Sequence, residues 1–187
     1  HMDEYHTGVN KMRTGKETVP EMKMTSAKAN KMLRNLNDEH SKIVNMEKKE
    51  SSFLAVMGED PETVRPAYDY EAVQSELEEI EGKVRTLKHA IFDFNMNTVV
   101  PEFGMTIDEM LIYIPQLSRR LSRLETLAMM IPKERECSIR SNIVDYRYAT
   151  FDIEKASADY SHTRELLSKA QMALDKLNNS VEFEVDL

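Results

Sequence analysis

Between Tyr70 and Phe94 the apolar residues Tyr70, Val73, Leu77, Ile80, Val84, Leu87, Ile91 and Phe94 recur in alternating steps of three and four. That spacing holds one edge of an α-helix to a partner for seven turns, and it excludes a strand over the same residues. Asp69 stands where an N-cap belongs, and the pattern runs out near Asn97. Gly82 lies inside the seam and costs about 1 kcal/mol against alanine, which a long seam absorbs.

The pattern returns twice. From Ile107 the stripe is Ile107, Met110, Ile114, Leu117, Leu121, Leu124, Ala128 and Ile131. "TIDE" opens it as a capping box, with Thr106 as the cap and Glu109 at the third helical position. Pro115 lacks the N–H that the carbonyl of residue 111 needs, so a kink is expected there. Pro132 closes the segment. From Asp152, a further cap, the stripe is Ile153, Ala156, Tyr160, Thr163, Leu167, Ala170, Leu174 and Leu177. A weaker, methionine-rich helix spans about Thr25 to Glu50, marked by Ala29, Met32, Leu33, Leu36, Ile43, Val44 and Met46. Seams of this length make rods of roughly 39 Å at 1.5 Å per residue.

Between and after the helices the period falls to two. "SNIVDYRYATF" (141–151) and "VEFEVDL" (181–187) read as strands, and Phe53–Val56 as a short third one. The expected fold is therefore mainly α. It is an elongated antiparallel bundle or coiled coil of about four helices, with a two- or three-stranded β element near the C-terminus. Residues 23–187 form one helical domain. Residues 1–22 are polar and aperiodic and read as a flexible segment, of which His1-Met2 is a cloning scar. About nine residues join the second and third helices, so these two are expected to form the hairpin. Glu79 and Glu81 would then come near Arg120 and Arg123.

Scarce glycine (5) and proline (6) and absent tryptophan fit long helices better than a sandwich or barrel. The net charge of −8 argues against a nucleic-acid backbone as the partner. The single cysteine, Cys137, can form neither an internal disulfide nor a cysteine-based zinc site, and with no apolar leader it suggests a cytoplasmic setting. No 18-residue apolar span occurs, so a membrane partner is not expected.

Chemistry-bearing candidates are few. His89 and Asp93 in "RTLKHAIFDFN" lie one turn apart, opposite the seam. A metal needs three or four converging ligands, and this pair offers two. The run Glu76, Glu78, Glu79, Glu81 lacks the Glu-x-x-His of carboxylate metal sites in bundles, and a solvated face is the simpler reading. Arg119, Arg120 and Arg123 read as a salt-bridged face. Cys137 lies between Arg135 and Arg140, with no histidine nearby in sequence. Tyr146 and Tyr148 beside Arg147 mix aromatic and basic residues as single-strand platforms do, but packing is the simpler role. No metal or cofactor is expected, and no catalytic residue is assigned. Phe92 is the oddity, because it sits well off the seam and asks for a covering layer. Phe92, Tyr146, Tyr148, Val181, Phe183 and Val185 are therefore the candidate interface.

"YDYEAVQSELEEIEGKVRTLKHAIFDFN", "TVVPEFGMTIDEMLIYIPQLSRRLSRLE", "YRYATFDIEKASADY" and "QMALDKLNNSVEFEVDL" together resemble an uncharacterised family of small helical bacterial proteins, mainly from Firmicutes. The family is distantly similar to a septicolysin-like group. The resemblance covers roughly residues 68–187 and brings no catalytic or binding residue with it. It implies a helical protein, and through the septicolysin label a cytolysin, for which the chain has no exposed apolar helix. The functional expectation is a self-associating coiled-coil scaffold or partner-binding protein. It would be a homo-oligomer, with a dimer the first expectation, or bind an unknown protein partner. The rivals are a membrane-active or toxin-like protein, and a metal-dependent enzyme using His89, Asp93 or Cys137.

Overall fold

A computed structural model describes residues 22–137 and 143–187. The expectation for residues 1–21 lies outside them. Four helices dominate: α1 (Ser26–Glu50), α2 (Tyr70–Asn97), α3 (Ile107–Ala128) and α4 (Ile153–Ser180). Helices α2, α3 and α4 start where their caps predict, and α1 starts one residue after the expected Thr25, which caps it. Thr25, Asp69 and Thr106 accept from the backbone N–H three residues on, at 3.2, 3.1 and 3.2 Å. Asp152 accepts from Glu154 and Lys155 at 3.0 and 3.3 Å. These bonds satisfy amides that no helical carbonyl can reach. Helix α3 runs through Pro115, whose ring lies on the exposed side. It stops at Ala128, one turn short of the expected end.

The partners differ from expectation. Helix α2 packs along α1, and α3 along α4. In the first arm Ile43 meets Val73, Leu77 and Ile80, flanked by Leu36, Val44 and Val84. In the second arm the buried face of α4 carries Ala156, Thr163 and Ala170 at intervals of seven. Small residues at that interval let α3, with its larger Met110 and Leu117, approach closely. Helices α2 and α3 touch only to a limited extent, so the expected pairing of Glu79 and Glu81 with Arg120 and Arg123 does not form. Glu81 instead meets His40 of α1 at 3.1 Å, and Glu79 meets Lys83 at 3.0 Å. The reason is geometric: each helix carries one narrow stripe, and α1 and α4 occupy it.

The short connection between α2 and α3 is itself a ribbon. Strands β2 (Val99–Val100) and β3 (Met105–Thr106) pair antiparallel. Gly104 turns the chain between them at φ +61°, a conformation that glycine adopts without Cβ strain. Val100 is fully buried. The ribbon turns the chain out of α2 and delivers Ile107 into the core.

The two arms meet in one hub. Strand β1 (Met22–Thr25) pairs with the last strand, here β6 (Glu182–Val185), with Met24 opposite Phe183 and Met22 opposite Val185. Neither pairs with Phe53–Val56, which forms no strand. The ribbon's inner face, Met24 and Val185, packs with Ala29 of α1 and Leu87 of α2. Phe183 stacks on Phe94 at 4.5 Å between ring centroids, with 20° between the planes. Phe94 joins Val100, Ile107, Met110, Leu117, Ala170 and Leu174 in the second half of the core. Beyond this hub, among the described residues, no buried cluster contains residues of both arms. The remaining pair, β4 (Lys133–Glu136) with β5 (Asp145–Tyr148), forms a ribbon at the tip of the second arm.

Leu87 is completely buried at the junction of the arms, whereas Phe92, five residues on, is 57% exposed. Leu87→Ala is therefore expected to lower unfolding free energy by about 2–5 kcal/mol. Phe92→Ala should stay within about 0.5 kcal/mol of the parent. Urea titration of both variants checks the contrast, and equal effects would contradict this placement of the core.

Candidate functional site

The histidine–carboxylate pair on α2 assembles no centre. His89 and Asp93 are both exposed. Asp93 accepts from the Nδ2 of Asn97 at 3.0 Å, and that same nitrogen donates to the Asp93 carbonyl at 2.9 Å. His40 is engaged with Glu81 on the other side of the arm. Among the described residues no three His, Cys, Asp or Glu side chains are placed to share a metal ion. Cys137 is exposed.

The candidate interface divides in two. Val185 is 1% exposed, and Phe183 and Val181 pack against the hub core. Val185 is interior, which corrects its reading as interface, while Val181 and Phe183 are half-buried. Phe183 and Val185 lie on the inner face of the β1–β6 ribbon. Phe92, Tyr146 and Tyr148 are exposed. Tyr70, expected to open the α2 seam, is exposed as well.

The arm tips hold what sequence reasoning left unassigned. In the second arm, alternation along the β4–β5 ribbon separates two faces. Tyr148 is paired with Lys133 and Tyr146 with Arg135, so these four share one face. Lys133 Nζ lies 4.3 Å from the Tyr146 ring centre and 5.6 Å from that of Tyr148. The opposite face carries Glu134, Glu136, Asp145 and Arg147, with Arg147 Nε donating to Glu136. That contact raises the Arg147 pKa, first through the hydrogen bond and then through the charge. All eight strand residues are exposed. A groove of about 800 Å³ runs between the ribbon and the end of α3, lined by Met129, Met130, Ile131, Tyr148 and Phe151 among others. Met129 is 76% exposed, and Ile131, Ile143 and Val144 are exposed too.

The first arm ends in a loop that is fastened yet displays apolar side chains. Leu54 is 96% exposed, Met57 fully so and Val56 largely so. Gly58, at φ +88°, makes the turn that follows. Glu59 closes it from both ends: its N–H donates to the Val56 carbonyl at 3.0 Å, and its Oε2 accepts from the Val56 N–H at 3.1 Å. Asp60 caps a 3-10 turn over Pro61–Thr63. Arg65 donates twice to Glu62, at 2.9 and 2.7 Å, and lies 5.0 Å from the centre of the Phe53 ring. The Arg65 hydrogen bonds hold the Glu62 carboxyl below its usual range, so this pair supports the loop above the ordinary glutamate pKa and is lost as pH falls through the lowered one. At the root of the loop Tyr68 Oη donates to Glu47 at 2.6 Å, and Gln74 Nε2 donates to the same oxygen at 2.7 Å. Exposed apolar runs such as 53–57 and 129–131 were visible in the sequence. A strand reading and a helix-end reading absorbed them.

Among the described residues no helix is long and apolar enough to cross a membrane. No family model matches the chain, and no curated protein matches it. Among solved structures, the fold is similar to that of a functionally unknown conserved protein from Corynebacterium diphtheriae. The two are 19% identical with a TM-score of 0.56, over 87% of this chain and 99% of that one. At this identity the likeness shows the fold.

The Tyr68 pKa is raised, first by its hydrogen bond to Glu47, then by burial and the carboxylate charge. A raised phenol supports the fold below the ordinary tyrosine value near 10, and that support disappears as pH climbs through the raised value. Glu47→Gln is expected to bring Tyr68 ionisation to lower pH. Alkaline titration followed at the Tyr68 ring resonances checks this, and an unchanged midpoint would contradict the contact.

Proposed function

We propose that this protein is a non-catalytic scaffold that binds protein partners, copies of itself included, through the tips of its two helical arms. One observation carries the reading: the most exposed large apolar side chains, Leu54, Val56, Met57 and Met129, stand at the arm ends. Apolar side chains on the shafts and near the hub, such as Met172 at 69%, Ile112 at 58% and Phe92 at 57%, are less exposed than these four. Soluble monomers leave apolar patches of about 300–600 Å² at most, and larger ones mark interaction surfaces. Methionine suits such a surface, because its unbranched chain adapts to differently shaped partners.

The arms suit the task mechanically. Each tip stands about 25 Å from the hub, counted along α2 from Leu87 to Tyr70 at 1.5 Å per residue. Every helix start is capped, and loop 51–69 is tied down by Tyr68, Glu62 and Asp60. A held loop loses less conformational entropy on docking than a free one. The likeness to the Corynebacterium protein adds the fold and no activity.

Lysines report the location of contact. Lys48, Lys49, Lys133 and Lys155 stand near the tips, whereas Lys23, Lys88 and Lys176 stand near the hub. Amine crosslinking of the purified protein with mass spectrometry is expected to give intermolecular links concentrated on the first set. Links concentrated on the second set would overturn the reading.

A further inference from the structure

The two tips are unlike each other, and their differences match. Loop 51–69 of the first arm carries Glu59, Asp60, Glu62 and Asp69 against Arg65 alone. Around Leu54, Val56 and Met57 it is an acidic apolar knob. The tyrosine face of the second tip carries Lys133 and Arg135, and the register turns Glu134, Glu136 and Asp145 to the other side. Around Val144, Tyr146 and Tyr148 that face is cationic, aromatic and uncovered. Within one chain, the acidic apolar surface and the basic aromatic surface stand on different arms.

We propose that the acidic apolar loop of one copy, centred on Leu54–Met57, docks on the Tyr146–Tyr148 face of a second copy. The proposal rests on the tip-binding reading above and names its partner. Charge complementarity is the first argument: Glu59 and Asp60 would meet Lys133 and Arg135, and neither cation has a carboxylate on its own face. Exposed apolar surface is the second: Leu54, Val56 and Met57 are 96%, 75% and 101% exposed on the loop, and Val144, Tyr146 and Tyr148 are 44%, 48% and 60% exposed on the receiving face. Because the joined patches differ, the contact is heterologous. It closes into a two-fold pair when each copy gives and receives a loop, and it runs on into a chain of copies when it does not.

Complementation tests this directly in the full chain. One variant carries Leu54→Asp with Met57→Asp, and the other Tyr146→Asp with Tyr148→Asp. All four residues are exposed, and circular dichroism checks that the fold is kept. In sedimentation velocity at micromolar concentration the parent is expected to run as a dimer or larger species. Each variant alone should associate at least tenfold more weakly. An equimolar mixture of the two should regain a two-chain species, because one intact loop-to-face contact remains in the mixed pair. A monomeric parent overturns the proposal. So does a mixture that stays monomeric beside an associating parent, and so does one variant that associates as the parent does, which would assign the contact to like tips and leave tip binding itself standing. Association unchanged in both variants would remove the tip-binding reading as well.

Discussion

The structure depends on how little apolar surface each helix has to give. Every helix carries one stripe, wide enough for a single neighbour. Four such helices cannot wrap a common core along their whole length, because each would need a second stripe. They settle into two pairs, and the pairs share a core only where extra apolar groups are supplied. Those groups are Phe94 at the end of α2, Val100 in the linking ribbon, and Met24, Phe183 and Val185 in the terminal ribbon. The Phe94–Phe183 stack joins the long helix of one arm to a strand that follows directly from the other. Together with the packing of Met24 and Val185 on Ala29 and Leu87, it supports a two-stranded sheet that would be marginal on its own.

Much of this was legible. Thr25, Asp69, Thr106 and Asp152 are local signals, because a cap works through the next three residues and nothing distant. The helix starts therefore came out within a residue. Stripe residues were equally legible, since helical periodicity is a property of the segment. Pairing was not. Leu77 and Ile80 would fit α3 as well as they fit α1, for one row of Leu and Ile resembles another. The choice was made by β2–β3, four residues whose strands are too short to show a period, and by Gly104. The rule that a short connection joins neighbouring helices failed because that connection is a ribbon and not a plain loop.

The surfaces were legible in part for a related reason. Phe92 lies off its stripe and asked for a covering layer, and no described element supplies one: it is 57% exposed. Tyr146 and Tyr148 stood out by composition. Val185 misled because alternation gives the two faces of a strand without saying which face a helix covers. Leu54 and Val56 were hidden by a sound rule: short apolar runs with β-branched and aromatic residues read as strands. Nothing in a single sequence reports that such a run has no strand to pair with.

The terminal ribbon also carries the longest-range contacts of the fold. Its register joins Thr25 to Glu182, residues at opposite ends of the described sequence. Each arm closes from contacts made across a single loop. The hub needs a far longer loop to close, and loop closure grows costlier with length. The arms thus rest on local contacts, and their junction rests on contacts between the two ends of the described sequence.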